Sequence, residues 1–121
     1  MGDNLGQGKR TTLARPDLAS TAQYIAWHAR HMPDEPAIVE DDLFVSYRKL
    51  AEDLVRCVRA IEAMGIGPDR LAGIEHPRRY THLLLLLACE VIGAATTSLA
   101  VGQNDELARY CDCLLYTSRC V

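Results

Sequence analysis

Residues 70–99, RLAGIEHPRRYTHLLLLLACEVIGAATTSL, hold the pattern that decides the fold. Arg70 to Glu75 is a short apolar run entered from Gly67-Pro68-Asp69, a turn sequence, and reads as a central strand. Tyr80 to Ile92 is apolar on nearly all sides, interrupted by Glu90, and predicts a helix covered on both faces, with Pro77 suited to its first turn and Gly93 to its end. Ala95 to Leu99 (ATTSL) follows as a second strand. Strand, buried helix, strand is the order that right-handed crossovers build into a parallel sheet. The leucine-rich stretch falls far short of the roughly 20 apolar residues that span a bilayer, so a buried helix of a cytoplasmic protein is expected.

Upstream, Asp17 or Ser20 caps a predicted helix running to about Met32, in which Ala22, Ile25, Ala29 and Met32 recur at helical spacing. Pro33 ends it. Ala37 to Glu40 and Leu43 to Ser46 then read as two short strands around Asp41-Asp42, a small hairpin expected to add an edge to the sheet. Ser46 supplies an N-cap hydroxyl for a long helix with Leu50, Leu54, Cys57 or Val58, Ile61 and Met64 along one side, closed by Gly65. Downstream, Asn104-Asp105-Glu106 predicts the start of another helix.

The composition is that of a globular chain: 49% hydrophobic, with 13 Lys and Arg against 16 Asp and Glu and a pI near 5.7. The positive excess needed to bind phosphate backbones is missing, which argues against a nucleic-acid partner. Residues 1–16 open polar and glycine-rich and read as a flexible arm. Of the five cysteines, Cys57 and Cys89 fall in apolar helical runs, where a thiol acts as a small hydrophobe. His28 and His31 stand near Asp34 and Glu35, a set that metals and proton transfers use, but they are read as residues of a surface helix end, where His favours the negative dipole terminus. Arg78, Arg79 and His82 read as a solvated edge, and Tyr24 and Trp27 as packing residues, because no basic groove accompanies them.

Four stretches occur in a distinctive order: HMPDEPAIV (His31 to Val39), VSYRKLA (Val45 to Ala51), AMGIGPDRLA (Ala63 to Ala72) and LLACEVIGA (Leu86 to Ala94). This order resembles the start of adenylate-forming, AMP-binding acyl-CoA synthetases, the superfamily that also holds adenylation domains and luciferases. The resemblance covers Asp17 to Asp112 and implies a partial N-terminal AMP-binding domain there: the N-terminal part of a doubly wound parallel-sheet subdomain with a small β-hairpin, truncated. Lys49 departs from the usual Glu, Pro68 precedes Asp69 where a glycine is usual, His76-Pro77-Arg78 replaces the usual Pro-Asn, and no proline precedes Leu99. The parent protein is implied to be an acid–thiol ligase, as in fatty acid metabolism, using ATP, Mg and CoA to turn a carboxylic acid into an acyl-adenylate and then a thioester. The groups that do this in the family are a phosphate loop with its Lys, an aromatic-Thr-Glu segment, a ribose-binding Asp and a Lys on a mobile C-terminal domain. None of them falls within these residues, so no catalytic, cofactor-binding or metal-binding residue is assigned and the chain alone is expected to be inactive. Two alternatives stand beside this reading: an amino-acid adenylation domain loading a carrier protein, and a non-catalytic α/β interaction module whose apolar helix docks a partner.

Residues 113–121, CLLYTSRCV, match a translated transposase mosaic end, TGT CTC TTA TAC ACA TCT, running into its inverted copy, AGA TGT GTA. They are read as a non-native tail, which also explains why Leu115-Tyr116-Thr117-Ser118 imitates the start of a phosphate loop and then meets Arg119 in place of Gly. A long DNA read through the codons of Tyr110 to Val121 is expected to show the frame continuing past Asp112 into a Gly-rich loop ending in Lys. A native gene that encodes CLLYTSRCV and a stop would overturn both the tail and the truncation.

Overall fold

The computed structural model describes residues 20–100 and 109–115. The arm expected at residues 1–16 and the helix expected from Asn104 lie outside the described residues.

Helix α1 (Thr21–His31) starts at Ser20, whose Oγ accepts from the Gln23 amide at 3.2 Å while the Gln23 side chain accepts from the Ser20 amide at 3.1 Å. This reciprocal capping box settles the choice between Asp17 and Ser20. The chain turns at Pro33 into an antiparallel hairpin, β1 (Pro36–Glu40) and β2 (Leu43–Ser46), through Asp41 in the left-handed region at φ 50°. Aspartate tolerates that conformation because its short polar side chain bonds locally. Ser46 both ends β2 and caps α2 (Tyr47–Ala63), accepting from the Lys49 amide at 3.1 Å. Two more free amides of that first turn, those of Tyr47 and Arg48, donate to the carbonyls of Glu35 and Pro33 at 3.0 Å each. The α1–β1 turn thus satisfies the orphan donors of α2.

Strands β3 (Leu71–Ile74), β4 (Ala95–Ser98) and β5 (Cys113–Leu115) form a parallel sheet in the order β4-β3-β5, with α3 (Arg79–Ile92) between β3 and β4. The α/β class, the parallel sheet and the small hairpin are as expected. The hairpin, however, is a separate two-stranded sheet and adds no edge to the parallel one. Its direction is set by α2, because β2 runs straight into that helix through the Ser46 cap. Val45 reaches the core, whereas Val39 and Phe44, paired across the hairpin, face outward.

Two finer expectations also change. Met64 does not line the buried side of α2; it is the C-cap residue and exposed, because the chain turns at Gly65 (φ 81°) and Ile66 enters the core instead. Pro77 precedes the N-cap of α3, Arg78, rather than occupying the first turn. The sequence reading placed no strand at Cys113 to Leu115, since it assigned those residues to the tail.

The core runs from Ile25 on α1 through Leu50, Leu54, Cys57 and Ile61 on α2 to Leu84, Leu85, Ala88 and Cys89 on α3, closing on Ala72 and Ile74 of β3. Cys57 and Cys89 are fully buried and form no disulfide. α3 is buried along Thr81, Leu84, Leu85, Ala88 and Cys89, while Leu83, Leu86 and Leu87 are half-buried and Val91 is exposed. No described helix is long and apolar enough to cross a membrane.

Gly73, in the middle of the central strand, has no room for a side chain: a Cβ there would lie 2.8 Å from Cys111 Sγ and 3.0 Å from both Leu114 Cδ2 and Leu99 Cδ1. Gly73→Ala is expected to destabilise the chain by roughly 1–3 kcal/mol, the usual cost of overpacking. Urea unfolding of the 121-residue chain measures it, and an unchanged midpoint would contradict the close approach of these three residues to β3.

Candidate functional site at the carboxyl edge of the sheet

Parallel strands end on one edge, and open α/β sheets take their ligands just beyond it. Here that edge carries the turn after β3, His76-Pro77-Arg78, the last residue of β4, Ser98, and the first turn of α3. A cavity of about 280 Å³ opens between them, lined by His76, Arg79, His82, Leu83 and Leu86. His82 Nε2 lies 2.9 Å from Ser98 Oγ, which ties α3 to the end of β4. The Arg78 amide donates to His76 Nδ1 at 3.1 Å, and Arg79 donates to Glu40 of the hairpin at 2.6 Å. No side chain caps the N-terminus of α3.

Arg79 and its half-buried partner Glu40 form a mostly exposed pair, with the Arg79 side chain 85% accessible, so the contact orients more than it stabilises. The Ser98–His82 contact has the reach of a nucleophile and its base, but no carboxylate orients His82 among the contacts of the described residues. The described residues also hold no group of three or more His, Cys, Asp or Glu suited to a metal. The edge can therefore exchange hydrogen bonds and make weak contacts with an anion.

What fixes this edge is a buried network. Asp53, 3% exposed on α2, accepts from Lys49 Nζ at 2.8 Å, from Arg56, and from the Tyr80 hydroxyl at 2.7 Å. Tyr80 is the second residue of α3, so the carboxylate pins the start of that helix. Burial pushes the Asp53 carboxyl up, but the hydrogen bonds from Lys49 and Tyr80 and the charges of Lys49 and Arg56 outweigh it and hold it below the ordinary aspartate range. Burial, and then the bond to Asp53, pushes the Tyr80 phenol well above its usual range, so it remains a donor. Lys49, a departure from the adenylate-forming pattern, is thus the partner one helical turn from Asp53. The sequence reading missed Asp53. Its signal was an acid at a core-facing position of α2, between a Lys four residues before it and an Arg three after.

The histidines flagged near Asp34 and Glu35 do not converge on those acids. His28 and His31 direct Nδ1 to the Tyr24 and Trp27 carbonyls, at 2.8 Å each. His28 stacks on Tyr47 and His31 on Trp27, at centroid distances of 4.7 and 4.4 Å. Asp34 instead accepts from Arg48 at 2.8 Å. Of the phosphate-loop imitation only Leu115 is described, buried at the end of β5; residues 116–118 lie outside the described residues.

No family model matches the chain. Bacitracin synthase 1 of Bacillus licheniformis is 28% identical over 100 residues, which is 83% of this chain and 2% of that protein. Among solved structures, NpsA-ThdA, an artificially fused adenylation–PCP di-domain NRPS from Klebsiella oxytoca, matches with a TM-score of 0.71 at 18% identity, over 88% of this chain and 21% of that one. The O-succinylbenzoate coenzyme A synthetase MenE from Bacillus subtilis, in complex with AMP, matches with a TM-score of 0.66 at 18% identity, over 78% and 26%. The chain therefore spans about one fiftieth of the curated relative and about a quarter or less of these structures. The chain is thus similar in sequence to bacitracin synthase 1 and in fold to an adenylation–PCP di-domain and to a coenzyme A synthetase. Its helices, hairpin and parallel sheet match the fold of the Klebsiella oxytoca NpsA N-terminal subdomain, with a TM-score of 0.66 at 18% identity, over 76% of this chain and 24% of that one.

Replacing Asp53 by Asn is expected to cost about 1–2 kcal/mol near neutral pH, since charge-assisted bonds are lost but Lys49 and Arg56 are more than half exposed. Because the folded carboxyl titrates below its unfolded value, its contribution is complete above about pH 4 and is lost as pH falls through the folded value. Urea midpoints of the wild type and Asp53→Asn should differ at pH 7 and converge in acid. A constant difference across that range would show that Asp53 is not held as a carboxylate.

Proposed function

We propose that residues 17–112 are the opening part of an adenylate-forming enzyme that activates a carboxylic acid with ATP. The agreement of the four ordered stretches with the fold of adenylation domains carries this reading. A carboxylate oxygen attacks the α-phosphorus of ATP and pyrophosphate leaves; a thiolate then attacks the acyl carbonyl and AMP leaves. Mg and the nucleotide belong to parts of such an enzyme beyond these residues. The present segment contributes scaffold: the carboxyl edge of β3 and β4, held in place by Asp53 and Tyr80. We also propose that the tail after Asp112 is not native. β5 fits either origin, because any short apolar run could pair with the β3 backbone and bury a side chain as Leu115 does.

Two acceptors suit the thiol step. One sequence relative is a dimodular nonribosomal peptide synthase and one structural neighbour is fused to a PCP, which supports a carrier-protein thiol. Another neighbour is a coenzyme A synthetase, which supports CoA.

The extended protein encoded at the source locus is expected to catalyse acid-dependent ATP–pyrophosphate exchange with at least one member of a panel of aliphatic, aromatic and amino acids. The 121-residue chain alone should give none. Thioester formation with CoA or with a carrier protein then identifies the acceptor. A folded extended protein that fails with every acid would refute adenylation.

A further inference from the structure

We draw no further inference here: the strongest candidate, the apolar groove of about 350 Å³ between α1, α2 and α3, floored by Ala22, Ala26 and Ala51 and edged by Val55, Arg59 and Glu62, carries nothing because nothing in the structure shows what covers it.

Discussion

The pairing of β3 on both of its sides is the constraint from which the remaining arrangement follows. Leu71 to Ile74 align with Ala95 to Ser98 on one side, and Ala72 to Ile74 with Cys113 to Leu115 on the other. The ladders extend beyond the strands, with the Leu99 amide donating to Ile74 at 2.8 Å and the Glu75 amide to Leu115 at 3.0 Å. At the opposite end Asp112 clamps Leu71 twice, its amide donating to the Leu71 carbonyl and its carboxylate accepting the Leu71 amide. A strand enclosed in this way has backbone groups satisfied on both edges, and its middle residues must be small or apolar. Ala72, Gly73 and Ile74 meet that demand, and Gly73 does so because neighbouring side chains already occupy the space its Cβ would take.

With β3 fixed, α3 must return from its carboxyl end to the start of β4, and the direction of that helix becomes the next requirement. Apolar packing on α2 supplies most of the attraction but is non-directional. Asp53 supplies the direction. A carboxylate with three donors from Lys49, Arg56 and Tyr80 accepts from α2 and α3 at once, and a shift of α3 would leave it buried with fewer partners. On the other side of the helix start, Arg79 reaches Glu40, so the hairpin, though outside the parallel sheet, is coupled to the same turn.

Much of this was legible in the sequence because it is written in short-range chemistry. Ser20 and Ser46 as caps, Gly65 and Gly93 as left-handed residues, and the turn at Asp41-Asp42 are each a local preference that the fold leaves undisturbed. What could not be read was non-local. The separation of the hairpin from the sheet depends on where α2 points; the burial of Asp53 depends on Tyr80, 27 residues later. β5 pairs with β3 across about 40 positions, and an adapter-like reading of its codons gave no reason to look for a strand. The expected absence of site residues came from family resemblance alone, and the cavity at the carboxyl edge was flagged only as charged residues near a helix start.

The proposed division between scaffold and chemistry has a physical basis. An adenylating centre must gather a nucleotide, a metal and an acid, and needs several rigid supports converging on one edge. Strands β3 and β4 end together at such an edge, yet the side chains there are spent on one another: His82 on Ser98, Arg79 on Glu40, His76 on the Arg78 amide. These contacts lock the turn. A turn held this firmly suits a wall beside a ligand more than a group that reacts with one. The buried carboxylate of Asp53 serves the same end from within. It sets where the first turn of α3 lies, and hence the shape of the edge that a ligand would meet.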